Sequence, residues 1–295
     1  MAQKRVTVIG SINMDITVHV DQIPQQGETI MGLGSANYPG GKGANQAVAA
    51  AKLGAYTSMI ATVGEDMFGH QLMENLRKNK VFVSNVEPVT YLETGTAIIL
   101  LCNNDNRIIV NSGANSSLTE EVLIRNKDTI QSSDVVLLQL EIPLPSVYRA
   151  AKIAKDAGVK VILNPAPYHN LPTSLLEMVD YITPNETEAA ALLKDSENPR
   201  ALKDKLIITN GEDGISFYER NEEKRIPSFS VQVKDTTGAG DAFNGAFAVK
   251  IAEGYSKEEA CKFANAVAAI SITKVGAQSG LPNLEEVENF ITKGR

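Results

Sequence analysis

Apolar positions along the chain fall into two regimes that divide near residue 119. Before it, residues 6–9 form a short apolar run that ends at Gly10-Ser11, the pattern of a buried strand. Residues 15–20 and 29–38 alternate loosely, with glycines at 27, 32 and 34, and predict strands of a small sheet. Residues 44–53 are strong helix formers stopped by Gly54. A strand over 58–63, a helix over 66–79 and two strands within 94–110 follow, the last two joined by a polar turn at 103–106. Beyond 119 the chain alternates between helices at 119–131, 146–157, 186–194 and 199–203 and strands at 134–140, 159–163, 179–182 and 205–209. Short apolar strands separated by helices predict a parallel sheet covered on both faces. An antiparallel pair at 214–219 and 224–233 and helices at 240–253, 257–274 and 284–292 complete the pattern.

No repeat or linker interrupts this order, so the expected architecture is one α/β domain over residues 1–295. Its central, mostly parallel sheet is flanked by helices, and a small β-sheet is built from about 13–38 and 94–110. So few strands are marginal alone. That sheet is expected to pack on the main domain, on a ligand or on another subunit.

Composition narrows the reading only a little. Hydrophobic residues are 43% of the 295 and charged residues 21%, enough for a core and too ordinary for disorder. The net charge of −7 argues against non-specific nucleic-acid binding, and an anionic substrate would need a local basic pocket. Cys102 and Cys261 lie far apart in apolar stretches and read as buried free thiols, while His19, His70 and His169 have no metal spacing. The chain shows no signal-peptide pattern and no membrane-length apolar run, so a cytoplasmic protein is expected.

Three loops carry the candidate chemistry. In 235–241, Asp-Thr-Thr-Gly-Ala-Gly-Asp, two glycines bring backbone amides close to a ligand just where a helix begins. Unpaired N–H groups and the helix dipole suit a transferring phosphoryl group, and Asp241 stands where a carboxylate can take a proton from an attacking hydroxyl. An isolated motif of this kind is more often a capped turn. The second loop, Gly40-Gly41-Lys42-Gly43-Ala44-Asn45, puts Lys42 and Asn45 three residues apart, able to face one ligand. It lacks the Ser/Thr and the leading glycine of a Walker A loop. The third, Gly10-Ser11-Ile12-Asn13-Met14-Asp15, sets Asn13 and Asp15 on one face of an extended chain, a mixture of donors and acceptors that suits a polyol. Each loop alone also has an ordinary structural explanation.

Together, in this order and spacing, the three resemble the ribokinase family of carbohydrate kinases over nearly the whole chain. The resemblance implies that Asp241 is the catalytic base and that Gly238, Ala239 and Gly240 form an anion hole. It implies that Asn13, Asp15, Gly41, Lys42, Asn45 and Glu141 hold the sugar. Asn185 and Glu188 resemble a motif serving nucleotide phosphate and Mg2+, and their spacing is also that of a capping box. Residues Thr209, Asn210, Gly211, Glu212 and Gly214 resemble the nucleotide loop, and Asn265 an adenine-edge position. Asp235 and Thr237, with Ser271, Lys274, Gly276 and Gly280, resemble a site for an activating K+, although some members have serine where this chain has Gly280.

The resemblance further implies ATP as phosphoryl donor, Mg2+ arriving with it, and a homodimer joined through the small sheet acting as a lid. Two carboxylates beside the base and a single cation, Lys42, favour a neutral sugar over a sugar phosphate. D-ribose, phosphorylated at its 5-hydroxyl, leads. Other neutral sugars, a nucleoside, or an inactive sugar-binding module are the alternatives, and the presence of Asp241 argues against the last.

Overall fold

The computed structural model describes residues 3–102, 105–219 and 222–293. Its elements run β1 (Arg5–Ile9), β2 (Asn13–His19), β3 (Gly34–Gly40), α1 (Lys42–Lys52), β4 (Tyr56–Gly64), α2 (Met67–Lys78), β5 (Phe82–Val89), β6 (Gly95–Cys102) and β7 (Asp105–Asn111). Then come α3 (Glu120–Arg125), α4 (Lys127–Gln131), β8 (Val135–Leu138), α5 (Leu144–Asp156), β9 (Lys160–Leu163), α6 (Thr173–Met178) and β10 (Tyr181–Ile182). The chain ends with α7 (Glu186–Asp195), α8 (Pro199–Lys203), β11 (Ile207–Thr209), β12 (Ile215–Glu219), β13 (Glu222–Ile226), α9 (Ala239–Ala252), α10 (Lys257–Ser271) and α11 (Leu284–Thr292).

Six parallel strands form the main sheet in the order β10-β9-β8-β1-β4-β5. Side chains alternate across it. Val6, Val8, Val135 and Leu137 enter the core beneath α1, α2, α9 and α10, while Ile9, Val136 and Leu138 enter the one beneath α3, α5 and α6. Burial on both faces is why β1 and β8 read as unbroken apolar runs. From β1 the chain builds outward to β4 and β5 on one side, then returns to β8 and builds to β9 and β10 on the other. The sheet therefore switches direction between β1 and β8, and beyond the carboxyl ends of such strands lies the crevice where α/β sheets bind ligands.

A second sheet, β3-β2-β6-β7, is drawn from the two expected stretches; β2 pairs with β6 in parallel and with β3 antiparallel. A third joins β11, β12 and β13. Helix starts follow their caps: Asn185/Glu188, Ser256/Glu259 and Asn283/Glu286 each complete a capping box at α7, α10 and α11.

Several expectations change. The helix expected over 119–131 is two, broken at Asn126, whose side chain donates to the Val122 carbonyl at 2.9 Å and accepts from Asn85. Strand β5 and helix α6 were not expected; β5 carries Pro88, which is tolerated because β5 is an edge of the sheet. The strand expected over 29–38 begins only at Gly34, and that over 224–233 ends at Ile226. Cys261 is buried, but Cys102 is half-buried at the end of β6. The first two residues of the turn expected at 103–106 lie outside the described residues.

Candidate active site

Close backbone approach builds the first half of the site. Gly41 has φ of 88°, and a Cβ there would stand 2.6 Å from the Asn13 nitrogen. One at Gly43 would lie 2.7 Å from the Gly10 carbonyl carbon, and one at Gly40 2.3 Å from the Asp15 carboxyl. The glycines thus let the loop after β1 and the start of α1 touch, and the Ala44 N–H donates to the Ser11 carbonyl at 2.9 Å. Glu141, just beyond β8, spans the switch point: its Oε2 accepts from the Ser11 hydroxyl at 2.5 Å and from the Lys42 N–H at 3.1 Å. Asn13 Oδ1 accepts from Asn115 Nδ2 at 2.7 Å, and Asn115 Oδ1 accepts from the Ile12 N–H at 2.9 Å. A cavity of about 360 Å³ opens here, bordered by Asn13, Ser112, Asn115, Glu141 and Pro143. Its size lies within the roughly 300–1,000 Å³ of small-molecule sites.

Asp241 closes the other half, in the first turn of α9. Gly238 caps that helix with φ of 78°, and a Cβ there would sit 2.8 Å from the Ala277 Cβ, so both backbone conformation and space demand glycine. The Ala239 N–H donates to the Thr236 carbonyl at 3.2 Å. The N–H groups of Gly240 and Asp241 have no intrahelical acceptor, as in any first helical turn. One turn on, a Cβ at Gly245 would come within 2.6 Å of Ala49 Cβ and of the Gln46 carbonyl. That close crossing of α9 and α1 brings the Asp241 carboxyl to Asn45 and Gln46. Asn45 Nδ2 donates to its Oδ2 and Gln46 Nε2 to its Oδ1, each at 2.9 Å.

The comparisons with known proteins agree on one family. The pfkB family carbohydrate kinase profile matches residues 3–284. The chain belongs to that family. Among curated relatives, the ribokinase of Bacillus subtilis strain 168 is 43% identical over 292 residues, covering 98% of this chain and all of that one. A ribokinase structure from Thermotoga maritima superposes with a TM-score of 0.89 at 39% identity, over 97% of this chain and 99% of that one. An Arabidopsis thaliana ribokinase complexed with ribose and ATP gives 0.90 at 32% identity, over 98% and 99%.

In this carbohydrate kinase, three carboxylates, Asp15, Glu141 and Asp241, converge on one cation, Lys42. Burial, then the charges of Glu141 and Asp241, lift Asp15 to about 7 in spite of Lys42. For Lys42, burial opposes the charge, but Asp241, Glu141, Glu188 and Asp15 outweigh it and hold its pKa above the usual value. Asp241 is raised chiefly by burial and secondly pulled down by Lys42, Asn45 and Gln46.

The remaining expected residues divide into two places. Asn185 and Glu188 form the capping box of α7, the Asn185 N–H donating to Glu188 Oε2 at 2.9 Å and the Glu188 N–H to Asn185 Oδ1 at 2.8 Å. Burial raises the pKa of Glu188, and Lys42 works against that rise, so this carboxylate shares the field of the cleft. Asn185 bridges to Thr209, which joins the α7 start to the loop of Asn210, Gly211, Glu212 and Gly214. Asn265 is buried and donates to the Pro227 carbonyl at 2.8 Å. Elsewhere, Asp235 accepts from the Thr237 N–H at 2.9 Å and the Gly276 N–H at 2.8 Å, and burial is outweighed by these bonds so that its pKa falls. Ser271 is buried with its hydroxyl on the Ala268 carbonyl, whereas Lys274 is exposed. A Cβ at Gly280 would lie 1.9 Å from the Ser271 carbonyl oxygen, so serine does not fit this backbone.

Sequence reasoning missed the buried amides around Asp241: Gln46, Gln139, Asn164, Asn244 and Gln278. Gln46 lies within the signature at 40–50, which is the one local signal it gave.

Proposed function

We propose that the protein transfers the γ-phosphoryl group of ATP to the 5-hydroxyl of D-ribose, giving ribose 5-phosphate and ADP. The observation that carries this reading is Asp241: a buried carboxylate, both oxygens held by amide donors, at a helix start within the field of Lys42, Glu141 and Asp15. Full-length likeness to a ribokinase bound to ribose and ATP supports the choice of substrates.

Asn13, Asp15, Gly41, Lys42, Asn45 and Glu141 bind the sugar. Asp241 takes the proton of the primary hydroxyl as its oxygen attacks the γ-phosphorus, and the bond to the β-phosphate oxygen breaks to release ADP. The helix dipole and the amides of the turn 238–240 receive the charge that develops on the phosphoryl oxygens. Residues 209–214 and Asn265 hold the nucleotide. Asn185 and Glu188 serve Mg2+, which neutralises phosphate charge when bound; the capping box engages Glu188 Oε2 and leaves Oε1 to a hydrated ion, and no metal cluster of three His, Cys, Asp or Glu side chains occurs among the described residues.

K+ would be held between Asp235 and the 271–280 turn, where the Asp235 carboxylate accepts from the Thr237 and Gly276 N–H groups. Its role would be to fix the turn that leads to Gly238. At Gly280, where serine does not fit, water or a carbonyl would take the place of a hydroxyl ligand. The four-stranded sheet acts as a lid within one domain and joins a homodimer through exposed Ile108, Ile109 and Val110 on edge strand β7. A cytoplasmic location accords with this chemistry; no helix among the described residues is long and apolar enough to cross a membrane.

The test is ADP release with D-ribose, 2-deoxy-D-ribose, D-fructose, adenosine and ribose 5-phosphate, in K+ and in tetramethylammonium at matched ionic strength. D-ribose should show the highest kcat/KM, and K+ the faster rate. A preference for the nucleoside or the sugar phosphate would overturn the substrate reading, and equal rates in the two salts would overturn the K+ site.

A further inference from the structure

The Asp241 carboxylate sits at the head of a chain of side-chain amides that no binding role explains. Gln46 is completely buried, and both donors and the oxygen of its amide are engaged. One Nε2 hydrogen goes to Asp241 Oδ1 at 2.9 Å and the other to Asn164 Oδ1 at 3.3 Å, while Oε1 accepts from Gln139 Nε2 at 2.5 Å. A carboxylate only accepts, so Gln46 must turn its nitrogen toward Asp241 and its oxygen away. That oxygen in turn obliges Gln139 to present nitrogen. The direction of the whole chain is thus dictated from the ionised carboxylate outward.

The far end shows what this arrangement costs. Gln139 Oε1 is the buried side-chain oxygen left without a hydrogen-bond partner among the described residues. It lies against the Gly10 backbone, where a Cβ would be 1.8 Å from it. A free-standing Gln139 gains nothing from this pose; the pose serves Gln46. Asn164 is anchored in turn, its Nδ2 donating to the Thr183 carbonyl at 2.9 Å.

We propose that Gln46, oriented by Gln139, is a positioning residue that stabilises the ionised form of Asp241 and aims it for proton abstraction. The inference rests on Asp241 being the base in the reaction proposed above. The groups facing Asp241 are Lys42, Asn45 and Gln46 from α1, Glu141 from the end of β8 and Asp15 from β2. Burial and the two carboxylates favour the protonated acid; Lys42 and the two amides favour the carboxylate. Removing the Gln46 donor shifts that balance toward the acid, so the carboxyl should titrate at higher pH and the acid limb of kcat should move up with it.

Gln46→Met keeps the side-chain length and deletes the donor; Gln139→Met leaves Gln46 in place and deletes only its orienting partner. The Asp241 Cγ resonance of 13C-labelled aspartate, assigned by its absence in Asp241→Asn, reports the titration whether or not the enzyme turns over. The expected result is a midpoint raised by about one pH unit or more in Gln46→Met and by less in Gln139→Met. The kcat acid limb should shift likewise, with recovery of rate at higher pH and the ribose KM within about twofold of wild type. Merely structural damage would lower kcat at every pH. A midpoint unmoved in folded Gln46→Met overturns the inference; if that variant does not fold, an unmoved midpoint in Gln139→Met does so. A wild-type enzyme inactive on ribose, with the midpoint still raised in the variants, would instead sink the substrate reading and leave the role of Gln46 standing.

Discussion

Two regions of this molecule are finished in different ways. At the switch point, Asp241, Asn45, Gln46, Gln139, Asn164 and Gln278 are joined by side-chain hydrogen bonds inside the protein, with Gln139 Oε1 left over at the end of the chain. On the four-stranded sheet, β3 and β7 leave their outer edges unpaired and apolar side chains stand in solvent on both faces: Ile109 is 60% exposed beside its cross-strand partner Ile98, and Ile108 and Val110 are exposed on the opposite face. The first region is held ready by the chain itself, which suits a reaction needing a fixed base and a fixed helix end. The second presents a surface whose burial waits on another body, which suits a lid and a subunit interface. Hydrogen bonds are concentrated around the buried carboxylate, and exposed apolar surface on the four-stranded sheet.

The largest effect should come from Asp241→Asn. It keeps the shape and removes the base, so kcat should fall by about 10²–10⁴-fold with the ribose KM little changed. Steady-state kinetics at saturating ATP checks this, and near-normal kcat would remove the carboxylate from the mechanism.

Gly245→Ala attacks the same region through packing alone. The added methyl meets Ala49 and the Gln46 carbonyl at 2.6 Å, and forcing α9 from α1 should cost about 1–3 kcal/mol and loosen the Asp241 contacts. Denaturant unfolding together with kcat should show both losses; stability equal to wild type would mean that the crossing relaxes freely.

Asp15 gives a subtler test. Its folded pKa of about 7 lies above the ordinary 3.8, so its contribution to stability is full below the lower value and is lost as pH rises through the upper one. Asp15→Asn should therefore unfold at higher denaturant than wild type at pH 8, by roughly 1–3 kcal/mol, with the difference shrinking toward pH 4 while ribose binding weakens. A variant less stable at pH 8 would mean that the charged form is favoured in the fold.

Ile109→Lys should have the smallest effect on the monomer. The side chain is exposed, so stability should change by no more than about 0.5 kcal/mol, while light scattering should report a shift from dimer to monomer. An unchanged mass would place any dimer contact elsewhere and weaken the contrast between the regions.

How much of this was legible in the sequence follows the same division. Apolar periodicity marked β1, β8 and β9, and Asn-x-x-Glu spacing marked the start of α7. Strand β5 was hidden because an edge strand with Ser84, Asn85 and Pro88 lacks the apolar run of a central one. The glycines at 40, 41, 43 and 238 were legible because close backbone approach demands that residue. The amide chain was not. Gln46, Gln139, Asn164 and Gln278 come from four separate segments, and their polarity matters only once the fold has buried them together.

The central claim is phosphoryl transfer to a primary sugar hydroxyl, and the 31P NMR spectrum of the product from ATP and D-ribose tests it most directly. The account predicts ribose-dependent ADP and one new monoester, its phosphorus split into a triplet by the two protons on C5. No ribose-dependent ester, or a doublet from a phosphate on a carbon bearing one proton, would contradict it.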